Sequence, residues 1–250
     1  MYINDTHIGF YIVAAIVGLL VGQFSDWMNK RLPENKKVFS LDIFRAHRIQ
    51  FRPNYIIMLV TSAIYVGLVY NFGIHDSLIG NFNLIKYAIL TPMLLSAFVI
   101  DFKQKIIPDR LNLTIFEVGI VIAFLYGFSN VAITIDLLFG MLAGGAIFAI
   151  IALIGGMIYG KEAMGLGDVK FIAALGLYFG FTNIIIISVM SFLLGAIIGI
   201  ILLVFRIKKT NEYIPFGPFI VVSTLVCMFL PAELIIGTMR TIFTLGIYKK

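Results

Sequence analysis

Long apolar runs separated by short polar loops dominate the chain. Eight such runs stand out, at 8–24, 55–72, 84–100, 112–128, 134–159, 170–181, 183–205 and 214–231. A membrane-crossing helix needs roughly 20 apolar residues, whereas a membrane β-strand shows ~10 residues of alternating polarity. Runs without alternation therefore predict helices. The run 170–181 is short, and Gly180 near its end predicts a tilted or partial span. A ninth stretch, 232–247, carries Glu233 and Arg240 and predicts an interfacial or partly inserted tail. The pattern predicts an all-α fold, a polytopic transmembrane helix bundle of about eight spans. It reads as one domain over 1–250, whose loop 25–54 is too small to hold a core of its own.

Composition sharpens the class. The chain is 60% hydrophobic and 13% charged, with a mean hydropathy of +1.02, which excludes a soluble domain of this length. The first run has no Lys or Arg before it and no small-residue cleavage site, so it reads as a retained span. Lys and Arg in short loops stay on the cytoplasmic side. Seven fall in 25–54, three in 102–111, two in 160–170 and three in 206–213, while 73–83 and 129–133 hold none. The N-terminus is thus expected outside, and the loops bearing Asp101, Asp109 and Asp168 at the cytoplasmic face. The net charge of +6 follows from this distribution and favours anionic lipid headgroups. It is spread over loops with no recognisable nucleic-acid-binding module, so nucleic acid is not an expected partner. Cys227 lies alone in an apolar run, and His7, His47 and His75 do not cluster, so no metal site of the His and Cys kind is expected.

The acids carry the chemistry. Asp101 directly follows the run ending AFVI, and an ionisable group at a membrane boundary is a candidate functional residue, although it also reads as a polar stop at a helix end. Asp168 sits in MGLGDVKF behind Gly165 and Gly167, which leave room for another chain to approach the acid. It precedes a helical run and is placed to cap it; a helix start, with Lys161 and Lys170 beside it, favours its charge. Two carboxylates sharing a site repel, so one holds a proton while the other stays ionised. The ionised member can activate a water against a peptide carbonyl and the other can donate to the carbonyl oxygen, which is aspartyl proteolysis without metal or cofactor. No GxSxG elbow offers an alternative nucleophile.

The pattern IDFKQKIIPDRLN at 100–112, followed by GLGDVKF at 165–171, resembles the type IV prepilin peptidases, the GxGD-type membrane aspartyl proteases. GLLVGQFSDWMNKRLP at 18–33 and IPFGPFI at 214–220 resemble two further landmarks of that family, in family order. The resemblance implies the GxGD aspartyl protease fold and places the catalytic aspartates on Asp101 and Asp168. Asp109 matches an auxiliary acid. It is the rival for the first role, but Pro108 breaks the helix between it and Asp101. Gly165, Gly167 and Lys170 match the rest of the second motif, with packing, topology or substrate contact as the role of Lys170.

The family implies removal of short basic leaders from type IV prepilins or pseudopilins at the cytoplasmic face of the bacterial inner membrane, with Asp26, Glu34, Asp42 or lipid headgroups as candidates to hold the leader. Many members carry two Cys-x-x-Cys pairs in the first cytoplasmic loop; residues 25–54 contain no cysteine. That departure puts in doubt the family's second activity, N-methylation of the new N-terminus. S-adenosylmethionine is a cofactor only if that activity is present, and no glycine-rich nucleotide fingerprint supports it independently. The rival class is a transporter or channel binding a cation or proton at the aspartates, which predicts acids near the midplane beside discontinuous helices.

Overall fold

A computed structural model describes residues 2–4, 6–34, 53–77, 79–159, 164–206 and 214–244. Much of the loop 25–54, with Asp42 and His47, lies outside these residues, as does Lys161. The chain divides into two compact units, Met1–Ile100 and Asp101–Lys250.

The first unit opens with a short antiparallel pair, β1 (Tyr2–Ile3) and β2 (Thr6–His7), followed by helices α1 (Ile8–Arg31), α2 (Tyr55–Phe72) and most of α3 (Phe82–Gln104). α1 and α2 pack backbone to backbone. A Cβ added at Gly18 would sit 2.5 Å from Ser62 Cα, and one at Gly22 would sit 2.6 Å from Met58 Cα. With no hydrophobic force between helices in lipid, such close approach supplies the packing contact. α1 also runs well past Phe24, where its apolar run ends. Ser25, Asp26 and Asn29 are buried there, and Asp26 accepts a hydrogen bond from Asn54 Nδ2 at 3.0 Å while pairing with Lys30 at 2.7 Å. Asp26 is therefore a structural link between α1 and the start of α2, not an acid open to a substrate leader.

The second unit contains the end of α3, then α4 (Asp109–Ser129), α5 (Val131–Tyr159), α6 (Leu166–Val204), α7 (Gly217–Phe229) and α8 (Ala232–Phe243). α5 and α6 touch at Gly140 and Gly176, where any side chain would strike the facing backbone. Tyr178 OH donates to Ile115 O at 2.8 Å and fixes α6 to α4. Phe148, Phe192, Phe216 and Phe219 form one aromatic cluster, with centroids 5.0–5.8 Å apart, that ties the start of α7 to α5 and α6.

Six of the helices are long and apolar enough to cross a membrane, and the pair α7 and α8, bent by 118°, would make a seventh. The protein is an all-α, multi-pass membrane protein. The remaining difference from about eight spans lies in α6, whose 39 residues would reach about 58 Å, nearly twice a hydrocarbon core. It is broken at Gly180, with φ 74° and ψ −178°, into a limb of about 21 Å and one of about 36 Å. The two runs 170–181 and 183–205 are these limbs. α8 leaves α7 after Pro231 as an amphipathic helix, with Ile235 buried and Glu233 at its start, as the charges in 232–247 suggested.

Candidate active site

Asp101 sits in the last turn of α3, which ends where Lys105, at φ 59°, leaves the helix. It is 2% exposed, and its Oδ2 accepts the N–H of Gly217 at 2.8 Å. Gly217 is the first residue of α7, with Pro218 next, so the donor is an otherwise unused amide at a helix start. A Cβ on Gly217 would lie 2.7 Å from that oxygen and 3.1 Å from Cγ. Only glycine fits beside the carboxylate.

Asp168 is 4% exposed in the first turn of α6. The helix starts earlier than the apolar run indicated, at Leu166, and Gly165 is its N-cap. Asp168 is thus not the cap; its own N–H bonds to Gly165 O at 3.0 Å, and its Oδ1 is buried with no hydrogen-bond partner. The two carboxylates, from α3 and α6, lie within electrostatic reach of each other. The fold has brought together acids 67 positions apart in the chain.

Gly167 has the protein's own chain beside it. A Cβ on Gly167 would meet Ile107 O at 3.3 Å and Ile107 Cβ at 3.5 Å, so the chain that closes on this turn is the protein's own 105–108 loop. Asn112 Nδ2 donates to Gly167 O at 3.0 Å, joining the same two segments. Asp109 begins α4 after Pro108 and forms an ion pair with Lys170 at 2.7 Å. Both side chains are largely exposed, unlike the buried acids. A groove of about 540 Å³ runs between α4 and α6 beneath this pair, with Leu113, Phe116 and Ala173 on its wall. Gly217 and Asn112 lie within the quoted motifs IPFGPFI and IDFKQKIIPDRLN, but neither was given a role from the sequence.

Residues 88–200 match the model of the type IV leader peptidase family. The matched segment contains Asp101 and Asp168 and ends before Gly217, so one partner of Asp101 lies outside it. Three similar proteins are all called prepilin leader peptidase/N-methyltransferase. The chain is 33% identical to that of Aeromonas hydrophila over 54% of its own length and 46% of the relative, and 35% identical to that of Legionella pneumophila over 55% and 47%. It is 30% identical to that of Xanthomonas campestris pv. campestris over 74% of this chain and 61% of the relative. The chain thus spans about half the length of the curated relatives it matches. No solved structure matches it.

Proposed function

We propose that this chain is a membrane aspartyl endopeptidase that removes the short basic leader from type IV prepilins or pseudopilins, acting as one domain at the cytoplasmic face of the bacterial inner membrane. The observation that carries the reading is the buried pair, Asp101 and Asp168, coupled to each other inside a leader peptidase segment.

The two carboxylates share one proton. The ionised member takes a proton from water as the water oxygen bonds to the scissile carbonyl carbon, and the protonated member gives its proton to the carbonyl oxygen. Collapse of the tetrahedral species breaks the C–N bond, and the departing nitrogen receives the proton taken from water. The N–H of Gly217 fixes Asp101, while burial excludes bulk water from both acids. Lys103, Lys105, Arg110 and Lys170 flank the pair and favour a cytoplasmic location.

Methyl transfer is a separate matter. It would need a donor of the S-adenosylmethionine class, and the α4–α6 groove does not fit one. Its acid, Asp109, is already neutralised by Lys170, and its wall is apolar. The transporter reading is not favoured either, because the break in α6 lies about 18 Å along the helix from Asp168 and not beside it.

Cleavage of a prepilin by the purified protein in lipid tests the proposal. Asp101→Asn and Asp168→Asn are expected to abolish the cut and Asp109→Asn to retain it. Continued cleavage by all three folded variants would overturn the assignment of catalysis to the aspartate pair.

A further inference from the structure

Asp168 has no hydrogen bond at Oδ1, so its aim comes from the backbone that carries it. That backbone is held one residue earlier. Ile107 packs on Gly167 but cannot set the direction of its carbonyl; Asn112 Nδ2 does, at 3.0 Å, from the first turn of α4. The other polar link between these segments, Asp109 with Lys170, is exposed, and such pairs hold little. Asn112 is 4% exposed, and half of its amide is unused, because Oδ1 is buried and receives no hydrogen bond. For stability alone this is a poor choice, since a stranded acceptor is costly and leucine has nearly the same shape without one. What asparagine offers here, and leucine does not, is the donor to Gly167.

We propose that Asn112 is a positioning residue of the peptidase reaction, whose Nδ2 fixes the Gly167 carbonyl and with it the turn that aims Asp168 at Asp101. This rests on the proteolytic reading of the pair. The residue touches neither substrate nor reacting atoms, and it acts through the turn. Misplacing a reacting group by about 1 Å costs up to ~100-fold in rate, which sets the scale of the effect.

Two variants test it beside Asp168→Asn in the purified full chain. Asn112→Leu removes donor and stranded acceptor together, so its Tm is expected to equal or exceed that of the wild type. Its kcat for prepilin cleavage falls by about 10- to 100-fold, with KM within about twofold. A merely structural asparagine would move Tm and leave kcat in place. In Asn112→Asp the protonated carboxyl carries an O–H where the amide carried N–H, and the ionised form carries none. Its kcat relative to wild type therefore rises as pH falls. The surrounding charged groups, Asp109, Arg110 and Lys170 of the groove and the Asp101–Asp168 pair, are common to both proteins and cancel in that ratio. Wild-type kcat in Asn112→Leu, with Asp168→Asn inactive, overturns the assignment of Asn112 alone. Cleavage by Asp168→Asn overturns the aspartate-pair mechanism on which the assignment rests. If Asn112→Leu does not fold, the pH ratio of Asn112→Asp decides, and a flat ratio overturns the assignment.

Discussion

At Asp101 a single hydrogen sets the tolerance of the site. Gly217 brings its N–H to within 2.8 Å of the carboxylate, and a methyl group in place of one hydrogen would come within 2.7 Å of the same oxygen. Gly217→Ala is therefore expected to displace the carboxylate and lower cleavage by up to about 100-fold. The measurement is the cleavage rate of Gly217→Ala set against that of Pro218→Ala, which leaves the donor in place. Equal rates would mean that the bond from Gly217 does not matter. The acids themselves were singled out in the sequence because Asp101 and Asp168 lie in two motifs, IDFKQKIIPDRLN and GLGDVKF, that occur together in family order. Their partners were not. Asn112 and Gly217 act across 55 and 116 positions, and although both lie in quoted motifs, nothing local in the chain shows which group each one bonds. Gly167 was visible; Ile107, which packs beside it, was not.

Among the elements, α6 shows what apolarity can and cannot report. Its two limbs were both recognised as apolar, one short and one long, and Gly180 near the end of the short run was read as the sign of a tilted or partial span. The way the second limb restarts depends on a residue from another helix. Asp136 of α5 accepts the N–H of Phe181 at 3.3 Å, and a Cβ on Gly180 would collide with that carboxylate. With φ 74° and ψ −178°, Gly180 also occupies a region of backbone space that is essentially closed to other residues, at a cost of about 1–3 kcal/mol. Gly180→Ala is thus expected to lower stability by at least that amount, read as a fall in Tm in detergent; an unchanged Tm would show that the break tolerates a side chain. The extension of α1 beyond Phe24 was missed for the opposite reason. Hydropathy reports what faces lipid, and Ser25, Asp26 and Asn29 are turned into the protein.

For the molecule as a whole, the distribution of basic residues makes a claim about sidedness. Lys103 lies in a positive segment and His75 in a loop without Lys or Arg, and both side chains are exposed. The lone cysteine, Cys227, is buried, so a Cys227→Ser background permits single-cysteine labelling. A membrane-impermeant maleimide is expected to label His75→Cys in spheroplasts and Lys103→Cys only after permeabilisation. The reverse pattern would invert the topology and remove the cytoplasmic location from the proposed function.

The bond between Asp101 and Gly217 also has a consequence in time. A ribosome makes the two residues 116 positions apart, and the chain between them includes all of α4, α5 and α6. Until residue 217 has emerged and the start of α7 has docked, Asp101 has no backbone partner, even though both aspartates are already in the membrane. A nascent chain halted after the matched segment at residue 200 would carry both acids and lack the amide that holds one of them. Such a chain is expected to be inert, which would spare a membrane still being filled with new proteins from a half-built protease.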